Sequence, residues 1–301
     1  MTTVSDELMT VRDWLRWAIS RFNEAGLFFG HGTDNAHDEA AWLILHALHL
    51  PPDCLEPFLD ARLTAVERLA VFNILQQRIS RRLPAAYLAQ EAWLGNFRFY
   101  VDERVIVPRS YFAGLLAEGL APWVADPDAI EYALDLCTGS GCLAILMAHA
   151  FPAVRIDAVD ISADALDVAR RNVADYELQD RIRLVRSDLL NALEGCRYDL
   201  IVCNPPYVTA AAMDALPAEY RHEPALALAS GTDGLDAVRR LIKDAGRHLT
   251  ENGLLLVEVG HNADLVEAAF PDIPFTWIDA PGGEGKIFLV AREQLQGDWG
   301  G

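Results

Sequence analysis

Short apolar segments that alternate with helical ones constrain the fold of this 301-residue chain more than any other feature. From residue 133 onward the pattern indicates strands at 133–136, 155–159, 182–185, 200–203 and 254–259, and helices at 141–150, 163–176 and 235–249. Such alternation is typical of a parallel sheet with helices on both faces. Two further strands, 275–278 and 287–291, flank the turn 281–285 as a hairpin, which predicts one antiparallel strand at the end of the sheet.

Residues 1–91 instead carry apolar side chains at helical spacing and predict a small helical bundle. Ser5 or Thr10 would cap the first helix, and Asp34 or Asn35 would cap the second. The indicated helices cover 11–22, 35–48 and 64–82.

The periodicity then changes to an alternation of apolar and polar residues around 102–104, which predicts a β-hairpin with its turn there. An apolar helix is indicated over 111–124. We therefore expect three parts: a helical domain over 1–91, a hairpin linker over 92–108 and an α/β domain over 109–301.

Composition and charge narrow the class of protein. The chain is 52% hydrophobic and 23% charged, which indicates a globular protein. A net charge of −19 argues against a general nucleic-acid or membrane binder, which would carry a basic face. The five cysteines contain no C-x-x-C pair, so we expect neither a zinc site nor a disulfide framework. With neither a signal peptide nor a long apolar run, the sequence predicts a cytoplasmic protein without bound metal.

A glycine-containing turn, Asp135-Leu136-Cys137-Thr138-Gly139-Ser140-Gly141, joins the first strand of the predicted sheet to its helix. Glycines there let the backbone approach a ligand closely, and the start of the helix offers free amide donors. Asp160 follows at the end of the next strand, where a carboxylate can accept hydrogen bonds from both ribose hydroxyls. The pattern favours a nucleoside site. The alternative is a tight turn with Asp160 merely exposed at a strand end.

A third carboxylate, Asp188, follows the next strand and precedes Leu189. At this position it could accept a hydrogen bond from an adenine amino group. It could equally cap the turn that leads into the following segment.

The segment Asn204-Pro205-Pro206-Tyr207 follows the fourth strand, which must end there because prolines cannot donate to a sheet ladder. The side-chain carbonyl of Asn204 and the backbone carbonyl of Pro205 could accept both hydrogens of a planar amino group and orient its nitrogen. Tyr207 could pack on the flat face of that group. Orientation and electrostatics suffice for methyl transfer to such a nitrogen, without a titratable base. The alternative is a rigid turn with a core tyrosine.

Two further features have weaker interpretations. Glu258, at the end of a strand, could line the crevice or only cap the sheet. Arg78, Arg81 and Arg82 form the basic patch of the helical region, which usually indicates a solvated helix end.

The chain resembles the S-adenosylmethionine-dependent class I methyltransferases that modify amino nitrogens. The resemblance rests on four features that follow one another along the chain: the glycine turn, Asp160, Asp188 and the Asn-Pro-Pro-Tyr segment. The N-terminal helical region followed by Val107-Pro108-Arg109 is similar to the protein-glutamine N5-methyltransferases. Two stretches resemble the members of that family that act on large-subunit ribosomal protein three: 27–35, and Tyr220-Arg221-His222-Glu223-Pro224 leading into 229–235.

The resemblance implies a seven-stranded Rossmann-like sheet with its last strand antiparallel, and S-adenosyl-L-methionine as the cofactor. The cofactor would lie over residues 137–141 and near Asn204, with its ribose at Asp160 beside Ile161 and its adenine near Asp188 and Leu189. Residues 204–207 would hold the glutamine amide, and the helical domain would recognise the protein substrate. Cys137 stands where the wider superfamily more often has glycine. Whether the backbone approaches the cofactor closely at this one position is therefore not decided by the resemblance.

Several other functions stay open at this point. The same catalytic residues occur in the enzymes that methylate peptide-chain release factors, and the acidic chain favours a basic ribosomal protein only mildly. A nucleic-acid amino-methyltransferase can share residues 204–207, but it needs phosphate contacts that a net charge of −19 does not offer. A dinucleotide oxidoreductase or a non-catalytic nucleoside-binding module would use the glycine turn but not residues 204–207.

Overall fold

The protein, described here by a computed structural model over residues 7–280 and 283–295, divides into two compact units. One contains the described residues up to Ala92 together with Pro217–His222. The other contains Trp93–Leu216 and the described residues from Glu223 onward. The first unit therefore takes a short segment from the predicted α/β domain. Within the described residues, no helix is long and apolar enough to cross a membrane.

The helical unit contains three long helices close to the predicted positions, and a fourth that the sequence pattern missed. They are α1 (Val11–Glu24), α2 (Ala36–Ala47), α3 (Ala65–Arg81) and α4 (Ala85–Ala89). The side chains of Thr10, Asn35 and Thr64 cap the first three by accepting from backbone amides. Ser5, the other candidate cap, lies outside the described residues. Pro84 ends α3 as predicted but also begins α4, where a missing N–H costs nothing.

Arg78 contradicts the prediction of a solvated helix end, because its side chain is only 1% exposed. Its Nε donates to Glu39 at 2.6 Å, its Nη2 to the Phe28 carbonyl at 2.9 Å, and its Nη1 lies 3.4 Å from the Glu219 carboxylate. Arg82 also contacts Glu219, at 3.1 Å. A guanidinium can be buried when carboxylates and carbonyls receive its donors, as they do here.

The first stretch that resembles the ribosomal-protein enzymes, 27–35, contacts segment 217–222 inside this unit, and that segment includes the first three residues of the second stretch, 220–222. The backbone amide of Phe28 donates to Glu219 at 3.1 Å, and the rings of His31 and Tyr220 lie 4.4 Å apart. A Cβ on Gly30 would come within 2.7 Å of the Phe28 ring and 3.1 Å of the Tyr220 hydroxyl. The glycine therefore lets segment 217–222 pack against the stretch 27–35.

The hairpin exists, but its turn lies earlier than predicted. Strands β1 (Ala92–Leu94) and β2 (Phe97–Phe99) pair across Gly95-Asn96, whereas residues 102–104 form a turn outside any strand. Gly95 has a φ of +58°, which glycine adopts without a steric cost. The dipeptide Gly-Asn is itself a hairpin signal, but the alternation of apolar and polar residues indicates a later turn.

The helix predicted over 111–124 covers only α5 (Phe112–Ala117). Gly119 and Leu120 have φ values of +63° and +58°, in the left-handed region, and Pro122 lacks the N–H that a helix would need. The apolar spacing therefore overestimates the length of this helix.

The second unit contains a seven-stranded sheet, as predicted, in the order β5-β4-β3-β6-β7-β9-β8. Its strands are β3 (Tyr132–Leu136), β4 (Arg155–Asp160), β5 (Ile182–Arg186), β6 (Tyr198–Cys203), β7 (Leu249–Glu258), β8 (Thr276–Ala280) and β9 (Gly283–Ala291). Strand β9 runs antiparallel to both β7 and β8. The antiparallel strand is thus second from the edge and not at the end of the sheet, because the last strand inserts between β7 and β8. Pro281 and Gly282 of the predicted turn lie outside the described residues.

Helices cover both faces of this sheet, and its central strands β3 and β6 are buried on both sides. The remaining helices of this unit include α6 (Cys142–Ala150), α7 (Ala163–Asp175), α8 (Ala210–Ala215), α9 (Asp236–His248) and α10 (Ala263–Ala269). Successive residues of β6 enter different cores: Leu200 and Val202 pack with α6 on one face, whereas Ile201 and Cys203 pack with α9 on the other. Continuous apolar strands of this kind are typical of parallel sheets.

Candidate functional site

The sheet reverses its strand order between β3 and β6. From β3 the chain adds β4 and β5 on one side, and then crosses over to place β6 on the other side of β3. Connections on opposite faces leave a crevice at the carboxyl ends of these two strands, which is where open α/β sheets bind ligands. The glycine turn follows β3 and Asn204 follows β6, so both predicted motifs flank this crevice.

The glycine turn adopts the backbone conformation that close approach requires. Gly139 has a φ of +54° and Gly141 a φ of +81°, and Gly141 caps α6. Cys137, where glycine is commoner, has a φ of +60° and thus adopts the same left-handed conformation. A Cβ on Gly139 would meet no protein atom within 4 Å, so the space beside this residue is open.

Asp135 is fully buried beneath the turn. Its Oδ2 accepts from the Thr138 hydroxyl at 2.5 Å and from the Ala144 amide at 3.0 Å, whereas its Oδ1 is buried without a hydrogen-bond donor. Burial raises the pKa of Asp135 to about 7, and the hydrogen bonds oppose that rise. Asp135 therefore holds the turn against the start of α6.

Asp160 lies at the end of β4 with its carboxylate fixed by backbone amides. Gly139 donates to Oδ2 and Ser162 donates to Oδ1, each at 2.9 Å. Burial raises the pKa of Asp160, although these bonds favour the charged form. Each carboxylate oxygen keeps a second lone pair, which leaves Asp160 able to accept from a ligand.

A cavity of about 340 Å³ lies over these strand ends, within the range of small-molecule sites. The predicted site residues that line it are Cys137, Gly139, Asp160, Ile161, Asp188, Leu189, Asn204 and Pro206. The others, which do not line it, are Asp135, Thr138, Ser140, Gly141, Pro205 and Tyr207. The structure therefore brings together six of the ten predicted nucleoside residues and Asn204 around one cavity.

Asp188 lies in the cavity wall and forms an ion pair with Arg240, 2.8 Å away on α9. Hydrogen bonding to Asp188 raises the pKa of Arg240. Arg240 was not predicted as a site residue, because an arginine on a helix gives no local sign that it lines a cavity.

The segment 204–207 is held by residues that the sequence did not single out. Asn262 donates to the Tyr207 carbonyl at 2.9 Å. A Cβ on Gly234 would lie 2.4 Å from that carbonyl oxygen, and a Cβ on Gly260 would lie 2.7 Å from the Tyr207 ring. The two glycines therefore allow the turn to pack closely, and their only sequence signal was their residue type.

Glu258 lies outside the cavity lining and binds the backbone that precedes α5. Its Oε2 accepts from the Ser110 hydroxyl at 2.6 Å and from the Tyr111 amide at 3.1 Å. Burial raises the pKa of Glu258 to about 7. Of the two interpretations, capping the sheet fits this position.

A partly buried ion pair connects the cavity wall to residues 107–109. Both oxygens of Glu223 accept from Arg109 at 2.6 Å, and Oε1 also accepts from the Val107 amide at 2.9 Å. On the other side, Asn204 Nδ2 lies 3.5 Å from the Arg109 carbonyl oxygen. In the sequence, Arg109 and Glu223 belong to stretches that resemble the family, but nothing there predicts their contact.

The described residues contain no group of three or more His, Cys, Asp or Glu side chains that could hold a metal ion.

Comparison with known proteins identifies the fold and the family. The family described as "Methyltransferase small domain" matches residues 117–220. The solved hMettl16 catalytic domain in complex with MAT2A 3'UTR hairpin 6 has a TM-score of 0.50 at 16% identity, over 75% of this chain and 80% of that one. At that identity the likeness shows the class I methyltransferase fold alone.

Curated relatives are far more similar in sequence. The ribosomal protein uL3 glutamine methyltransferase of Neisseria meningitidis is 59% identical over 98% of this chain and 97% of its own. That of Bordetella pertussis is 59% identical over 96% and 97% of the two chains, and that of Bradyrhizobium diazoefficiens is 50% identical over 96% and 92%. The chain therefore belongs to the family of ribosomal protein uL3 glutamine methyltransferases, enzymes of the class that uses S-adenosyl-L-methionine as methyl donor.

Proposed function

We propose that this protein methylates the side-chain amide nitrogen (N5) of a glutamine in large-subunit ribosomal protein three, uL3, in the cytoplasm. The observation that carries the proposal is the identity of 59% to the Neisseria enzyme over nearly the full length of both chains. The match covers 98% of this chain, so it includes the two stretches that resemble the ribosomal-protein enzymes, 27–35 and 220–235.

The cavity fits the methyl donor. Its volume of about 340 Å³ suits a nucleoside, its floor includes the open face of Gly139, and a fixed carboxylate stands at Asp160. Residues 137–141 would hold the donor by backbone contacts, Asp160 and Ile161 its ribose, and Asp188 and Leu189 its adenine. Asp135 would support the turn, and Asn204 would border both ligands. Bound there, S-adenosyl-L-methionine supplies an electrophilic methyl group.

The chemistry that this chain adds is orientation of the glutamine amide. The Asn204 side-chain oxygen and the Pro205 backbone oxygen would accept the two amide hydrogens and turn the nitrogen lone pair out of conjugation. Pro206 would keep this backbone rigid, and Tyr207 would pack on the flat face of the amide. Such preorganised acceptors lower the barrier without prior loss of a proton.

The substrate assignment is tested by comparing methyl transfer to two protein acceptors. Purified enzyme and labelled methyl donor are offered to unmethylated uL3 and to unmethylated release factors in parallel. We expect label on the uL3 glutamine with the wild-type enzyme, and none with Asn204→Ala. Label on the release factors alone would overturn the substrate while leaving the chemistry in place. Equal label with Asn204→Ala would overturn the catalytic role.

A further inference from the structure

One wall of the cavity is a loop that begins next to the buried residue Glu223, and backbone hydrogen bonds with Val208 and Ala210 also hold this loop. Residues Pro224, Leu226, Ala227, Ala229, Ser230 and Gly231 line the cavity and follow directly after Glu223. The lining also includes Arg104, Val105 and Ile106, which directly precede Val107. The side chain of Glu223 is fully buried, and it binds both Arg109 and the Val107 amide. One carboxylate therefore joins two lining segments, at the end of 104–106 and at the start of 224–231.

The same pair reaches the residue proposed to hold the substrate. The Arg109 carbonyl can only accept, so the Asn204 atom 3.5 Å from it is the amide nitrogen. With its nitrogen facing Arg109, the side-chain oxygen of Asn204 is left to accept from another group. That oxygen is the atom that must accept a hydrogen from the glutamine amide.

We propose that Arg109 and Glu223 are a positioning pair for the reaction: they fix the cavity wall 224–231 and, through the Arg109 carbonyl, the orientation of the Asn204 amide. This inference rests on the proposed function, but it assigns these two residues a role in catalysis that is separate from binding of the methyl donor. A bidentate arginine–carboxylate pair suits this role because it fixes angle as well as distance.

The test replaces Glu223 by its isostere. Glu223→Gln keeps one oxygen for the Val107 amide but loses the second charge-assisted bond to Arg109. The matched control is Arg183→Gln, which breaks the Arg183–Asp157 pair, also bidentate at 2.7 and 2.6 Å. That pair joins β4 and β5 and contributes nothing to the lining of the 340 Å³ cavity.

For Glu223→Gln we expect kcat on uL3 to fall by about tenfold or more, because small displacements of a positioning group reduce rate steeply. The dissociation constant of the methyl donor should change by less than about threefold, a difference of under ~0.7 kcal/mol, because the residues proposed to hold the donor (137–141, 160–161 and 188–189) lie outside the wall 224–231. Arg183→Gln should leave kcat near that of the wild type. A Glu223→Gln enzyme with unchanged kcat, or one whose loss is reproduced by Arg183→Gln, would overturn the proposal.

Hydrogen–deuterium exchange gives a second measurement that needs no substrate. Amides of 224–231 and of the backbone after β6 should exchange faster in Glu223→Gln than in the wild type, and Arg183→Gln should leave them unchanged. Unchanged exchange in Glu223→Gln would contradict the proposal. Failure of the wild-type enzyme to label uL3 would instead contradict the proposed substrate, so the two hypotheses fail separately.

Discussion

At the scale of single residues, comparison of two glycines separates the effect of backbone conformation on stability from an effect on ligand binding. Gly139 and Gly95 both have left-handed backbones, with φ values of +54° and +58°, and a Cβ on either would meet no protein atom within 4 Å. They differ in place, since only Gly139 borders the cavity.

Substitution of each glycine by alanine tests this difference. Both Gly139→Ala and Gly95→Ala should destabilise the protein by roughly 1–2 kcal/mol, the steric cost of a left-handed alanine. Gly139→Ala should in addition weaken binding of the methyl donor by about tenfold (~1.4 kcal/mol), since its methyl group enters the cavity. Calorimetric titration and thermal melting measure the two effects. Equal affinities for the two variants would contradict a cofactor role for this turn.

Glu258 predicts a pH dependence of stability. Its pKa lies at about 7 in the folded protein because of burial, against an ordinary value of 4.5. The folded state therefore binds more protons than the unfolded state between these values, so stability falls as pH rises through that window.

Glu258→Gln removes this titration while keeping an oxygen for Ser110 and Tyr111. The stability of the variant relative to the wild type should increase between pH 5 and pH 8, by on the order of 3 kcal/mol at most. Melting temperatures at the two pH values measure the change. Asp135 also has a raised pKa, but it is present in both proteins and cancels. A difference that is constant with pH would show that Glu258 does not titrate in this range.

At the scale of elements, helix α7 shows how a polar side chain can join parts of the fold that sequence periodicity treats separately. Asn172 is buried in this helix. Its Nδ2 donates to the carbonyls of Ser140 and Tyr100 at 2.8 and 3.0 Å, and its Oδ1 accepts from the Tyr100 amide at 2.8 Å. One side chain thus connects the glycine turn to the segment that follows the hairpin.

Asn172→Asp should break this connection, since a carboxylate cannot donate to the two carbonyls and its second oxygen would face them. We expect destabilisation by about 3 kcal/mol, the cost of leaving buried polar groups unpaired. Urea unfolding measures it. Asn191→Asp, at an exposed position, is the control and should change stability by less than about 0.5 kcal/mol. A similar small effect at Asn172 would show that water replaces these bonds.

Periodicity and turn chemistry predicted the sheet strands and most long helices, because these depend on which face of a local segment is apolar. They failed where the deciding contact is distant in sequence. Nothing near Arg78 indicates that Glu219, far along the chain, will receive its guanidinium. The alternating apolar and polar residues after the hairpin also fit a strand pattern, although 105–107 belong to no strand in the structure.

The candidate site was predictable in part for the same reason. Backbone turns at strand ends have local signatures, so the glycine turn, Asp160 and Asn204 could be found from sequence. Arg240, Asn262 and the Arg109–Glu223 pair could not, because each acts through a contact between distant segments.

At the scale of the whole molecule, the buried cluster of Arg78, Glu39 and Glu219 predicts how the helical unit loses stability. Burial raises the pKa of Glu39 against the attraction of Arg78. Removal of the arginine would leave the buried carboxylate of Glu39 without its cation and the carboxylate of Glu219 with Arg82 alone. Breaking a buried pair costs about 3–5 kcal/mol.

Arg78→Met should therefore destabilise the helical unit by an amount in that range, with faster hydrogen exchange in α2 and α3. Arg21→Met is the matched control, since it removes an exposed pair with Glu24 in the same unit. That variant should cost less than about 1 kcal/mol. Comparable effects for the two arginines would contradict a structural role for the buried cluster.

Because Pro217–His222 belongs to the helical unit, this unit cannot be transplanted as one continuous piece of gene. A chimera that receives only the first 92 residues would inherit Arg78 and Arg82 without the carboxylate of Glu219, and the 27–35 stretch without Tyr220. Exchange of the whole helical unit therefore requires two inserted pieces, the chain up to Ala92 and Pro217–His222, and so three junctions.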